Sequence, residues 1–113
     1  MPYIDLKTNV STTPEQRGAL KASFGKAITA IPGKTEARLM VSIECGKSMW
    51  FKGESEPCAM IEIALFGKST YEAYNNLTAL VSAAVEKELG VPQSRIYVKY
   101  EEVNYWGCGG SNF

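Results

Sequence analysis

The sequence predicts an α+β fold in which two pseudo-symmetric βαβ units form a four-stranded mixed sheet with two helices on one face. Three observations carry this: an internal repeat, apolar residues alternating with period 2, and two amphipathic stretches with helix-start signals. Laid over itself with a shift of 57 residues, the chain matches without a gap at ten positions from Ile4/Ile61 to Glu44/Glu101. These include Leu20/Leu77, Gly33/Gly90, Arg38/Arg95 and Val41/Val98. Two copies of so long a period make a duplicated unit rather than a solenoid. Residues 1–113 then form a single domain, with repeats 2–56 and 59–113.

Each unit reads strand, helix, strand. Residues 3–8 and 59–66 alternate Ile4, Leu6 and Ile61, Ile63 with polar neighbours, the pattern of a strand with one buried face. Residues 14–31 place Leu20, Phe24, Ala27, Ile28 and Ile31 on one helical face, and 70–89 repeat it with Tyr74, Leu77, Val81, Ala84, Val85 and Leu89. Thr13 can cap the first helix, Pro14 suits its first turn, and Gln16 completes a capping box. Ser69 and Glu72 offer the second helix a similar box. Gly33 and Gly90 follow as stops, and closing strands come at 38–45 and 95–101. With both helices on one face, the other face of the sheet has no cover within the chain. The apolar alternation of the closing strands and the Met49-Trp50-Phe51 segment therefore predict self-association in a closed oligomer.

The composition excludes several classes of function. Twelve basic residues against twelve acidic ones, with no basic cluster, argue against a nucleic-acid partner. No apolar run approaches the roughly 20 residues of a membrane span, so no membrane partner is expected. Asp5 and Lys7 interrupt any signal-peptide-like start, which points to a reducing cytoplasm. Cys45, Cys58 and Cys108 are odd in number and widely spaced, as free thiols would be. The chain has no histidine, which removes histidine-based triads, HExxH zinc sites and imidazole acid–base catalysis. An enzyme built from this chain needs another group that titrates near neutral pH.

The start "MPYI", "TNV" at 8–10, "GK" at 33–34, "GESEPCA" at 53–59, "FGK" at 66–68, "RIYVKY" at 95–100 and the terminal "GGSNF" resemble the macrophage migration inhibitory factor family of the tautomerase superfamily. The resemblance runs over the whole chain. It implies a homotrimer with active sites between neighbouring subunits. It also implies keto–enol tautomerisation of small aromatic 2-keto acids such as phenylpyruvate, and of dopachrome-type substrates, with no metal and no cofactor. The family's processed N-terminal proline matches Pro2, its substrate-anchoring lysine Lys34, and the tyrosine of its "RIY" motif Tyr97. The residue whose backbone N–H meets substrate matches Phe66, preceded by Leu65, and the C-terminal pocket rim maps onto Trp106 and Phe113. Phe66, Lys99 and Cys108 replace residues common in the family, changes that bear on pocket width and charge. The CxxC motif of some members is absent, because Ala59, Met60 and Ile61 follow Cys58.

The chemistry of these groups agrees with that assignment. Tautomerisation moves a proton between carbon and oxygen, and one base with a pKa near the working pH can do both transfers. With Met1 removed, Pro2 is a secondary amine, and an apolar pocket with cationic Lys34 and Lys99 nearby lowers its pKa. Lys34 also serves as a point charge for a substrate carboxylate or enolate oxygen. The Phe66 N–H adds a fixed dipole, Tyr97 a hydroxyl, and Phe66, Tyr105, Trp106 and Phe113 hold an aryl ring.

Taken singly, each residue also has a structural reading. Pro2 is an ordinary second residue, and Lys34 a helix-end lysine complementing the dipole. Tyr97 packs on the sheet, Lys99 is solvated, Phe66, Trp106 and Phe113 are core or interface aromatics, and Cys58 fills space as a small hydrophobe. Gly109-Gly110 reads as a turn, and Arg38 and Arg95 as partners of acidic neighbours. The rival functional reading is a cytokine-like signalling protein, secreted without a signal peptide, whose partner is a receptor or host protein. A third is a related superfamily reaction such as decarboxylation, dehalogenation or hydration.

Overall fold

Ile4 and Leu6 on β1 (Pro2–Thr8) and Ile61, Ile63 and Leu65 on β3 (Ala59–Phe66) are all buried, as their alternation requires. They meet Leu20 and Phe24 of α1 (Pro14–Ala27) and Leu77, Val81 and Val85 of α2 (Tyr71–Leu89) in one hydrophobic core. β2 (Met40–Glu44) and β4 (Ile96–Val103) complete the sheet, whose strand order is β2-β1-β3-β4. The computed structural model describes residues 1–113. β1 runs parallel to β2 and β3 parallel to β4, while the central pair β1/β3 is antiparallel, so the sheet is mixed. The duplication is visible in the register: Ile4 stands opposite Val41 and Ile61 opposite Val98, each pair the other displaced by 57 residues. The fold is the α+β arrangement the repeat predicts.

Element ends depart from the sequence reading for local reasons. Helix α1 stops at Ala27 and a 3₁₀ turn carries the chain to Ala30, because Ile31 precedes Pro32 and takes an extended conformation. A second 3₁₀ turn at Glu36–Arg38 delays β2 to Met40. The capping box on α1 forms as expected: Gln16 N–H donates to Thr13 Oγ1 at 3.1 Å and Thr13 N–H to Gln16 Oε1 at 2.9 Å. On α2 the cap is Thr70 rather than Ser69, since Thr70 Oγ1 accepts from Ala73 N–H while the Ser69 N–H donates to the Tyr74 hydroxyl. Gly90 ends α2 in the left-handed conformation at φ 71, and Gly33 holds the equivalent position in the first repeat at φ 82.

The open face of the sheet corrects one expectation. The apolar residues Val41, Ile43, Val98 and Tyr100 of the outer strands pack against the core on the helix side and do not ask for a second cover. The other face carries charge. Lys7 bridges Asp5 and Glu62, and Lys99 pairs with Glu62 at 3.2 Å. Of the large exposed apolar groups, Met40 and Tyr97 lie on the outer strands β2 and β4, and Trp50 lies in the connection between β2 and β3. The alternation was real; its buried side is the helix side.

Beyond β4 a short hairpin, β5 (Gly107–Cys108) and β6 (Ser111–Asn112), turns through Gly109 and Gly110. Both turn glycines have positive φ, the requirement of a tight primed turn. The three cysteines are free. No helix is long and apolar enough to cross a membrane.

Candidate active site

Strand β1 opens at Pro2, which is buried and pairs across the central strands with Leu65. That register brings Met1 to the end of β3, where the Phe66 N–H donates to the Met1 carbonyl at 3.0 Å. The loop after α1 supplies the charge. Lys34 N–H donates to the Ile31 carbonyl at 3.1 Å, closing the turn through Gly33, and the half-buried Lys34 Nζ donates to the Phe66 carbonyl at 3.1 Å. One residue of β3 therefore receives the amine segment through its N–H and the lysine through its carbonyl.

This end of the sheet is hostile to an ammonium group. The Met1 α-amine is pulled down from 8.0 to about 6, first by burial, then by Lys34 and more weakly by Arg38. Burial removes water from the charged form, and the two cations repel it. Arg38 was read from the sequence only as an ion-pair partner. The overlooked signal was its spacing, one helical turn beyond Lys34 on the same connection. Lys99, proposed alongside Lys34 as a source of repulsion, does not contribute within one chain, because it stands on the open face against Glu62.

The aromatic wall is partly assembled here. The Phe66 and Phe113 rings lie 5.9 Å apart at 39°, and Phe113 N–H donates to the Trp106 carbonyl at 3.0 Å, tying the terminal hairpin to this edge. Leu65 is buried in the core, so it can offer the site only its backbone. Pro2, Lys34, Leu65, Phe66 and Phe113 gather at one end of the sheet, with Trp106 joined through its backbone.

Tyr97 does not join them. It stands opposite Met60, five residues along β3 from the Leu65 that faces Pro2. At about 3.3–3.4 Å per residue that places it roughly 17 Å away along the strand. Lys99 lies between, opposite Glu62. A single chain thus holds two separate groups of candidate residues, one at each end of the sheet.

Comparison with known proteins agrees with the fold. The family profile of macrophage migration inhibitory factor (MIF) matches residues 1–113. D-dopachrome decarboxylase-B of Xenopus laevis is 29% identical over 110 residues, covering 96% of this chain and 92% of that protein. The crystal structure of Leishmania major MIF2 superposes with a TM-score of 0.94 at 29% identity, over 100% of this chain and 97% of that one. Macrophage migration inhibitory factor from Toxoplasma gondii gives a TM-score of 0.91 at 34% identity, over 98% and 99% of the two chains. The chain belongs to the macrophage migration inhibitory factor family.

Proposed function

We propose that this protein is a cofactor-independent keto–enol tautomerase for small aromatic 2-keto acids, with Pro2 as general base once Met1 is removed. The observation that carries the reading is the geometry of this corner: the Lys34 Nζ and the Phe66 N–H meet beside buried Pro2, where the Met1 amine is pulled down by burial, Lys34 and Arg38. The same burial and cations disfavour the ammonium form of a Pro2 amine, which leaves a lone pair to take a proton from carbon. The reading also draws on a relative named as a D-dopachrome decarboxylase.

Each group then has a task. Removing Met1 converts the Pro2 amide into a secondary amine and frees the Phe66 N–H from the Met1 carbonyl. The freed N–H and the Lys34 ammonium address the substrate's carboxylate and the developing enolate oxygen, where fixed charge and dipole favour the transition state. The Pro2 nitrogen takes the C3 proton of the keto form and returns it to the enolate oxygen; in the reverse direction it takes the enol O–H proton and delivers it to C3. Phe66 and Phe113 receive the aryl ring.

Tyr97 enters this scheme only from another copy. A closed ring of subunits meeting head to tail brings the Tyr97 end of one sheet beside the Pro2 end of the next. Exposed Tyr97, Trp50 and Met40 offer apolar surface for such contacts. We assign three subunits to the ring from the family resemblance, and sedimentation velocity at micromolar concentration should give the mass of a trimer.

The test of the function is phenylpyruvate tautomerisation by the processed protein and by its Pro2→Gly variant. The proposal expects turnover by the first and a loss of about 10²–10⁴-fold in kcat/KM by the second, the usual worth of a positioned base. Full activity in the glycine variant would remove Pro2 from the mechanism.

A further inference from the structure

Arg95 was expected to pair with acidic side chains, and the structure gives it a different set of partners. Its Nε donates to the Pro57 carbonyl at 2.8 Å, and one terminal nitrogen reaches the carbonyls of Glu56 at 3.1 Å and of Phe51 and Glu54 at 3.3 Å. These acceptors span the loop from 51 to 57, which bends through Lys52 at φ 55 and Gly53 at φ 74 and closes with a Phe51/Glu54 bridge. Guanidinium is suited to this work: it is planar, always charged, and presents several donors in a fixed fork.

The same guanidinium lies over the Phe51 ring, 5.1 Å from its centroid. The Phe51 ring in turn meets the Tyr97 ring edge-on, with centroids 5.0 Å apart at 71°. Arg95 ends a 3₁₀ turn, Gln93–Arg95, two residues before Tyr97 on β4, and Phe51 packs against both side chains. Tyr97 is otherwise 62% exposed, and it makes no side-chain hydrogen bond that would fix its ring. Its orientation therefore depends on Phe51, and the placement of Phe51 depends on Arg95.

We propose that Arg95 and Phe51 are positioning residues for Tyr97: Arg95 gathers the 51–57 loop, and Phe51 clamps the tyrosine ring in the orientation it presents to a neighbouring subunit. The consequence for substrate rests on the tautomerase reading above; the clamp itself does not. Lys34 and the Phe66 N–H hold the carboxylate end of the substrate and Phe66 and Phe113 one side of its aryl ring, so Tyr97 of the adjoining subunit meets the aryl end from the other side. A tyrosine already ordered spares the complex the cost of freezing it on binding. That ordering is worth about 2- to 10-fold in affinity for one side chain.

Two readouts test this in the full chain, with Phe51→Leu and Arg95→Lys as variants and Arg95→Ala as the stronger lesion. Protein labelled with 3-fluorotyrosine gives fluorine resonances, and the Tyr97 line is assigned by its absence in Tyr97→Phe. The clamp predicts that this line moves toward the free-tyrosine position in both Phe51→Leu and Arg95→Lys, while the lines of core-packed Tyr74 and Tyr100 stay in place. An unmoved Tyr97 line in both variants overturns the proposal whether or not the protein is active. With phenylpyruvate, both variants should raise KM about 2- to 10-fold with kcat nearly unchanged, and an aliphatic 2-keto acid should show no such rise. An equal loss on both acids would indicate general damage and also overturn it. A wild type that turns over neither acid sinks the tautomerase reading, and the fluorine line then decides the clamp alone.

Discussion

Positions 34 and 91 are the same place in the duplicated unit, yet one is Lys34, half-buried and bonded to the Phe66 carbonyl, and the other is Val91, fully buried in the core. Pro2 and Ala59 make a similar pair at the starts of β1 and β3. The strand start at Ala59 is fed by the 45–58 loop, whose last residue, Cys58, donates its N–H to Asn9 Oδ1 at 2.9 Å. The strand start at Pro2 is preceded by the Met1 amine, held low first by burial and then by two cations. Duplication supplied two equivalent corners of one sheet. Charge and an amine were placed at one of them, and the other was packed as core.

Exchanging the residues at positions 34 and 91 should affect the two corners differently. Val91→Lys puts an unpaired ammonium in the core and should cost about 4 kcal/mol or more, enough to unfold much of the protein. A urea midpoint unchanged from wild type would show that position 91 is not the sealed corner described here. The reciprocal change, Lys34→Val, should leave the midpoint nearly unmoved. It should lower kcat/KM for phenylpyruvate about 10²-fold, near 2.7 kcal/mol, by removing a charge aimed at the developing oxyanion.

The amine itself sharpens the contrast. In protein that retains Met1, the amine has a folded pKa of about 6 against an ordinary 8.0. Between those values the unfolded chain binds more protons than the folded one, so stability rises from pH 6 to pH 8. Below pH 6 the full penalty of the charged amine is present, and above pH 8 it is gone. Thermal midpoints across this window should climb, and acetylating the amine should flatten the slope. A slope that survives acetylation would trace the pH dependence to another group.

The smallest effect concerns the caps. Thr70→Ala should cost about 1 kcal/mol, because it orphans the Ala73 N–H at the start of α2. Ser69→Ala should fall within about 0.5 kcal/mol, since the Ser69 side chain is not the cap. Equal losses in the two variants would return the capping role to Ser69.

Much of the fold was legible because each signal was local. The repeat fixed strand, helix and strand, and Pro14 with Thr13 and Gln16 marked one helix start to the residue. The Ser69 box misled because Ser69 and Thr70 are both good caps, and the Tyr74 hydroxyl that takes the Ser69 N–H comes from the next turn of the helix. The site was legible in its membership and less so in its geometry. That Lys34 reaches Phe66, 32 residues away, depends on the central antiparallel register, and that Tyr97 stands at the far end depends on the parallel pairing of β3 with β4. Neither is written in local sequence. Arg95 was misread for the same reason: its partners are carbonyls, which every residue carries and no sequence pattern distinguishes.

Burial, Lys34 and Arg38 hold the Met1 amine low at one corner of the doubled sheet, and the proposed function puts the Pro2 amine, exposed by trimming, to use there as a base. The most direct test compares phenylpyruvate tautomerisation by protein lacking Met1 with that by protein retaining it, at pH 7 and equal concentration. With Met1 in place the Pro2 nitrogen is an amide and the Phe66 N–H is occupied by the Met1 carbonyl. The account predicts activity from the trimmed protein and a loss of at least about 100-fold from the untrimmed one. Equal rates from the two would contradict it.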